Sequence, residues 1–326
     1  MTAAPSPQAP AHAPSAAFRD AYERAMARWP VLVERIDLAS EFGTTRVNVC
    51  GPAGAPPLVL LHGGGTTSAI WYAQAAVLAR TRRVYAVDQI GAPGLSVHAG
   101  RPLRRPEDLY AWLHGVLDGL GLESVALLGH SYGGWLALGY AAHAAVAPPS
   151  GAPGPRRGSS PCSWRARGRV ARLVLLDPTQ CFAGYRPSYL LRALPLFARP
   201  GERSTRRFLA WETRGAPPAP ELVRLMGLGA AEFRGAKVVT GPRPDLARLG
   251  AAAPPTLVLL AEHSRAHDLR RVAARAERTP GVRPATVPGV THHSMPYDRA
   301  GELGRRVLDF LDADPSRRAL TGPAGA

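Results

Sequence analysis

The chain has 326 residues, of which 46% are hydrophobic and 20% are charged, values close to the average for globular domains. Its 34 glycines and 33 prolines make up about a fifth of the sequence, below the proportion typical of low-complexity chains. These values exclude wholesale disorder and a collagen-like chain. The length predicts one large domain or two modest ones, with a sizeable hydrophobic core.

Basic side chains outnumber acidic ones by 40 to 24, which gives a formal net charge of +16. Nucleic-acid binding would require basic residues clustered along one face. The arginines are instead spread from Arg19 to Arg318, and Lys237 is the only lysine. We therefore interpret the charge as a composition bias and predict no nucleic-acid partner.

Three features indicate the compartment. Cys50, Cys162 and Cys181 have neither disulfide-framework nor metal-site spacing, which favours a reducing environment. The N-terminal MTAAPSPQAPAHAPSA lacks the basic and apolar regions of a signal peptide. Residues 125–155 carry no charged side chain and could cross a bilayer, but glycines, histidines and prolines interrupt them. The sequence predicts a cytoplasmic protein without membrane association.

Short apolar runs alternate with helical patterns along the chain, which is typical of a parallel sheet covered on both faces. The runs lack polar alternation and have the length of strands; they are residues 57–61, 83–87, 124–128, 172–176 and 256–260. Helical spacing or composition marks residues 106–120, 133–146 and 300–314. The sequence therefore predicts an α/β fold with a mostly parallel, doubly wound sheet.

The remaining segments define the predicted domain organisation. Residues 16–178 and 255–314 form the core, and residues 147–169, rich in Pro, Gly, Ser and Arg, are an exposed insertion in it. Residues 179–254 are too long for a plain connection and predict a helical lid. Most of the lid's aromatic residues are expected to form its own core, with one or two facing a pocket. Residues 1–15 and 315–326 are predicted to be flexible tails.

A sharp turn is predicted around Ser131. The segment reads Gly129-His130-Ser131-Tyr132-Gly133, directly after an apolar run and directly before a helical pattern. This is the G-x-S-x-G elbow in the context that it requires, where small flanking residues let the backbones approach each other. The Ser131 hydroxyl would stand over the sheet edge at a helix N-terminus, where free N–H groups favour negative charge.

With this elbow the chain resembles the α/β-hydrolase family, from about Thr44 to Asp312. The segment LVLLHGGG, residues 58–65, looks like the oxyanion loop of that family. The resemblance implies that the backbone N–H groups of Gly64 and Tyr132 bind the oxyanion. Trp71, downstream of this loop, is expected to pack rather than to catalyse. Asp88 lies in a segment similar to another family turn and is expected to be structural.

The resemblance also implies a histidine base after the last strand. His292 occupies the position of the family's P-G-x-x-H histidine in VPGVTHHSMP, and His293 is the adjacent alternative. An imidazole suits this role because its pKa lies near neutrality, so it can take the Ser131 proton and return it to a leaving group.

The acid departs from the family pattern, because Ser264 occupies the expected carboxylate position. A hydroxyl cannot stabilise an imidazolium as a carboxylate does. Asp177, at the end of the preceding strand, is the favoured acid, since some members of the superfamily supply their acid from there. Asp268 is the alternative, although it is also a candidate helix N-cap. Glu262 is a weaker third option.

These residues predict a serine hydrolase that cleaves a small-molecule carboxylic ester through an acyl-enzyme. Thioester or carbon–carbon bond hydrolysis, and a non-catalytic ligand-binding protein on the same fold, remain alternatives. A serine at the elbow argues against the branches that attack with aspartate. The sequence has no phosphate-binding or H-E-x-x-H motif and predicts no cofactor and no metal. It indicates neither the oligomeric state nor the acyl and alcohol specificity.

Overall fold

The computed structural model describes residues 13–145, 168–234, 239–248 and 253–313. The predicted C-terminal tail, residues 315–326, lies outside these residues, as does nearly all of the predicted insertion at 147–169. Of the predicted N-terminal tail, residues 13–15 are described, and Ser15 caps the first helix.

Within the described residues, nine strands form one sheet. They are β1 (Glu34–Ser40), β2 (Gly43–Cys50), β3 (Pro57–Leu61), β4 (Arg83–Val87), β5 (Val97–His98), β6 (Val125–His130), β7 (Val170–Leu176), β8 (Thr256–Ala261) and β9 (Val282–Val287). The order is β1-β2-β4-β3-β6-β7-β8-β9, with β5 beside β2. The neighbouring strands in the series β4-β3-β6-β7-β8-β9 pair in parallel. Strand β2 pairs antiparallel with β1, β4 and β5. The predicted mostly parallel sheet is confirmed.

Helices cover both faces of this sheet. The described residues contain α1 (Ala16–Met26), α2 (Tyr72–Leu78), α3 (Pro106–Gly119), α4 (Tyr132–Ala145), α5 (Pro187–Ala198), α6 (Glu202–Glu212), α7 (Pro220–Glu232), α8 (Leu269–Glu277) and α9 (Ala300–Asp312). One apolar core lies between the sheet and α3, α4 and α8. The other lies between the sheet and α1, α2 and α9. Burial on both faces explains why the central strands read as unbroken apolar runs.

All five apolar runs are strands, and the structure adds four that the runs did not indicate. β1, β2 and β5 form the antiparallel side, where β1 is largely exposed and its polar residues mask the pattern. β9 pairs only with β8 at the other edge, and only its two end residues, Val282 and Val287, are buried. Strands of this kind lack the continuous apolar signal of a buried parallel strand.

Three inserted helices, α5, α6 and α7, fill the segment between β7 and β8. Tyr189, Phe208 and Val223, one from each helix, belong to a third apolar core of their own. α7 also packs against α1, where Ser15 hydrogen-bonds Glu232 and the rings of Phe18 and Phe233 lie 5.3 Å apart. Phe197, one of the predicted lid aromatics, is instead 74% exposed.

No helix among the described residues combines the length and apolar character needed to span a membrane.

The start of α4 fits against β3 because it carries glycines. A Cβ at Gly133 would overlap the carbonyl oxygen of Leu61, and a Cβ at Gly129 would overlap that of Gly133. Only residues without a Cβ allow this approach. The chain therefore passes from β6 into α4 in a tight turn around Ser131.

Gly133→Ala should cost at least about 3 kcal/mol of unfolding free energy, because the methyl group meets rigid backbone on β3. Urea unfolding measures this loss. Gly115→Ala is the matched control: Gly115 is exposed on α3, and no atom lies within 4 Å of an added Cβ. That substitution should stabilise the protein by about 0.5–1 kcal/mol. Equal effects at the two sites would contradict the packing described.

Candidate active site

Ser131 lies between β6 and α4 in a strained conformation. Its φ is +53°, in the left-handed region that non-glycine residues rarely adopt. The Ser131 N–H donates to the carbonyl oxygen of Leu176 at 3.0 Å, which ties the turn to β7. The side chain is directed away from the sheet toward the loop that follows β9.

His292, in that loop, contacts Ser131 directly. Its Nε2 lies 2.9 Å from Ser131 Oγ, and its Nδ1 lies 2.6 Å from Asp177 Oδ2. With the proton on Nδ1, the ring donates to the carboxylate and accepts from the hydroxyl. Burial lowers the pKa of His292 despite the nearby Asp177 charge. His293, the alternative base, is directed elsewhere and places its Nδ1 3.2 Å from Glu212 Oε2.

Asp177 follows β7 at φ +42° and is completely buried. Besides His292, three groups donate to its carboxylate: the N–H of Ala261 at 3.1 Å, Ser264 Oγ at 2.7 Å and His267 Nε2 at 3.1 Å. Burial opposes its ionisation, but the imidazoles of His267 and His292 outweigh burial and hold its pKa well below the usual value. The side chain is therefore a carboxylate at neutral pH.

The two other predicted carboxylates are occupied elsewhere. Asp268 is the N-cap of α8, where it accepts the N–H of Arg271 at 2.9 Å. Glu262 accepts the N–H of Gly289 at 2.8 Å and is exposed to solvent. Of the three candidates, Asp177 is the one that reaches His292.

Ser264 and His267 belong to the site in a way that the sequence did not indicate. Ser264 was recognised only as a missing acid, yet its hydroxyl binds the acid that comes from β7. Burial opposes protonation of His267, but the Asp177 charge outweighs it and raises the pKa of this imidazole. The sequence did contain a signal for these two residues, because a hydroxyl and an imidazole follow β8 where the family pattern has a carboxylate.

The backbone groups predicted to bind an oxyanion lie next to each other. A Cβ at Gly64 would stand 3.7 Å from Tyr132 Cβ, so the two backbones approach closely. Tyr132 is the first residue of α4, and its N–H has no intrahelical acceptor. Trp71 is fully buried, and Asp88 accepts hydrogen bonds from Ser68 and Leu95, in keeping with structural roles.

Two buried side chains fix the backbone around His292. His130 Nε2 donates to the carbonyl oxygen of His292 at 2.8 Å. From α6, Glu212 Oε2 accepts the N–H of His293 at 3.1 Å and the hydroxyl of Thr291 at 3.2 Å. Burial would raise the pKa of Glu212, but His293 outweighs burial and lowers it. The inserted helices are thus bonded to the loop that carries His292.

The arrangement is a hydroxyl, an imidazole and a carboxylate in one hydrogen-bonded chain. Such a chain can move the hydroxyl proton onto the ring and stabilise the resulting imidazolium. Among the residues that the structure describes, no group of three or more His, Cys, Asp or Glu side chains could hold a metal ion.

The chain is similar in sequence and in fold to known proteins. A family model described as "Alpha/beta hydrolase family" matches residues 58–306. Carboxylesterase YbfK of Bacillus subtilis (strain 168) is 27% identical over 90% of this chain and 93% of its own length. Its crystal structure matches with a TM-score of 0.77 over 90% of this chain and 97% of that chain. The crystal structure of naproxen esterase from Bacillus subtilis matches with a TM-score of 0.76 and 25% identity, over 94% of this chain and 100% of that chain.

His267→Gln removes an imidazole whose pKa is raised above the usual 6.5 in the folded chain. Because the folded-state pKa is the higher one, the protonated ring stabilises the fold fully below the unfolded-state pKa, and this contribution is lost as pH rises through the folded-state pKa. The difference in unfolding free energy between the parent chain and His267→Gln should therefore be largest below pH 6.5 and shrink as the pH rises above it. Urea unfolding at several pH values measures it.

The control is the same substitution in an Asp177→Asn chain, where the neutral amide no longer attracts the cation. There the difference should depend much less on pH. A difference that grows with pH in the parent chain would contradict the contact between His267 and Asp177.

Proposed function

Because the chain belongs to the α/β-hydrolase family, we propose that it is a serine hydrolase that cleaves small-molecule carboxylic esters through an acyl-enzyme. The observation that carries the proposal is the hydrogen-bonded chain from Ser131 through His292 to Asp177, at 2.9 and 2.6 Å. The relatives support an ester as the substrate, because they are described as carboxylesterases.

In the first half-reaction Ser131 Oγ attacks the ester carbonyl carbon while its proton passes to His292 Nε2. The tetrahedral intermediate then collapses: the bond to the alkoxy oxygen breaks, and His292 returns the proton to the departing alcohol. In the second half, His292 takes a proton from water, and the hydroxide attacks the acyl carbon. Collapse of this second intermediate releases the carboxylic acid and restores the Ser131 hydroxyl.

Two fixed groups lower the barrier in this proposal. Asp177 holds the Nδ1 proton of His292 and stabilises the imidazolium that forms in each half-reaction. The N–H groups of Gly64 and Tyr132 donate to the oxyanion, and the N-terminal end of α4 adds a favourable field. The intermediate is stabilised without reorganisation of the backbone.

We also propose that the inserted helices act as a lid, within residues 179–254, over a core formed by residues 16–178 and 255–314. Tyr189 and Phe208 support this role, since their rings contact His292 and His293 as well as the inserted helices' own core. In the same region Thr179 Oγ1 lies 3.5 Å from Ser131 Oγ and accepts the hydroxyl of Tyr185.

Asp177→Asn should lower kcat for p-nitrophenyl butyrate by about 10⁴-fold, because the amide favours the wrong imidazole tautomer. Asp268→Asn is the matched control, since it changes a carboxylate that caps α8 on the surface. It should leave kcat nearly unchanged, as Asn is also a good cap. Equal small losses in the two variants would remove Asp177 from the mechanism.

The acid limb of the pH profile should lie below pH 6.5, because burial lowers the pKa of His292 from that value and the neutral ring is the active base. kcat/KM should therefore fall to half of its plateau value at a pH below 6.5. A midpoint well above neutrality would contradict His292 as the base.

A fluorophosphonate should label Ser131 of the native protein, with mass spectrometry locating the adduct. Ser131→Ala should abolish both labelling and hydrolysis, because no nucleophile remains. Ser40→Ala, which changes an exposed serine at the end of β1, is the control and should be labelled normally. A native protein without an adduct and without activity would favour a ligand-binding role.

A further inference from the structure

A wide groove opens on the outer side of the inserted helices. It lies between α5 and α6, has a volume of about 970 Å³, and is bounded by Leu191 and Pro195 on one wall and by Ser204 and Phe208 on the other. The volume is within the range of sites for small organic ligands. No step of the mechanism above uses this groove.

Phe208 connects the groove with the site. It lines the groove but is only 6% exposed, since its ring packs against Tyr189 and His293 with centroid distances of 5.5 Å in both cases. Tyr189 in turn lies 6.3 Å from the ring of His292. Two side chains in series, Phe208 and then Tyr189 or His293, therefore separate the groove from His292. Ser131 is only 7% exposed, so side chains of this kind must move before a substrate reaches it.

The lining of the groove is strongly basic. Arg192, Arg199, Arg203 and Arg207 line it, against Glu202 as the one acidic residue. Glu202 is paired with Arg206 at 2.5 Å. In the part of the chain that the structure describes, no carboxylate lies within ion-pair distance of Arg199, Arg203 or Arg207. The groove thus offers guanidinium groups beside apolar walls.

We propose that this groove is the entrance to Ser131 and that its arginines select esters carrying an anionic group, such as a carboxylate, at the end remote from the scissile bond. This rests on the proposed esterase function and names the substrate class of that site. Guanidinium groups bind carboxylates with charge-assisted, often bidentate hydrogen bonds. The apolar walls suit the alkyl segment that joins the anion to the ester.

Two esters separate charge from size. Ethyl hydrogen adipate and ethyl hexanoate have the same ethyl ester and acyl chain length, but one ends in a carboxylate and the other in a methyl group. Arg203→Gln/Arg207→Gln should lower kcat/KM for the adipate by about tenfold, because the focused positive field is weakened. Its kcat/KM for the hexanoate should stay within about twofold of the parent value. Release of ethanol measures both rates.

The charge-matched control is Arg278→Gln/Arg283→Gln, which removes two exposed arginines near α8 and β9. It should leave the ratio of the two kcat/KM values unchanged. Added salt should reduce the parent preference for the adipate and affect Arg203→Gln/Arg207→Gln much less. The proposed anion selection is overturned if the adipate-to-hexanoate ratio of kcat/KM is equal in the parent and in Arg203→Gln/Arg207→Gln, or if the control reduces this ratio equally. Hydrolysis of the hexanoate would still uphold the esterase function in that case. No turnover of either ester by the parent overturns both.

Phe208→Leu tests the route, because the smaller side chain leaves more room between the groove and the rings of Tyr189 and His293. Labelling of Ser131 by a bulky fluorophosphonate should become several-fold faster. Phe310→Leu, an equal reduction on the remote α9, is the control and should leave the labelling rate unchanged. Thermal unfolding of both variants identifies any loss of fold. Labelling that is unchanged or slower in a folded Phe208→Leu protein overturns the groove as the entrance.

Discussion

The buried charge of Asp177 is the constraint on which the site depends. An isolated carboxylate in an apolar interior would take up a proton instead of remaining ionised. Here four donors surround it, and two of them are imidazoles whose attraction outweighs the burial. One donor, the N–H of Ala261, belongs to β8, and the others lie in the loops that follow β8 and β9. The ionised state of Asp177 therefore depends on the observed order of the strands. The tautomer and the pKa of His292 depend in turn on the ionised Asp177.

The parallel sheet brings these groups together because the carboxyl ends of neighbouring strands meet at one edge. Ser131 directly follows β6, Asp177 directly follows β7, and the loop after β9 returns His292 to the same edge. Ser131 and Asp177 both have positive φ, so the backbone is strained at the two residues whose side chains contact His292. The glycines on either side of Ser131 let β6 and α4 approach closely enough to hold this geometry.

The inserted helices contact the loop that carries His292. Glu212 on α6 bonds the backbone of His293, and the ring of Phe208 packs against the same residue. A shift of α6 would therefore change the loop that carries His292. Under the proposed function this contact links the passage of substrate to the geometry of the base, while the arginines of the groove act before chemistry by attracting an anionic ester.

The five central strands could be predicted from the sequence, because unbroken apolar runs have few other uses in a globular chain. Small residues on both sides of a serine likewise predicted the turn at Ser131, and the resemblance to the family pointed to His292. The sequence left Asp177, Asp268 and Glu262 open, and it did not indicate the edge strands, Ser264, His267 or Glu212 as partners. Those features depend on which groups face each other across β7, β8 and the inserted helices. The folded chain was needed to identify these partners, because hydrogen bonds between residues 87 or 115 positions apart leave no periodic trace in a sequence.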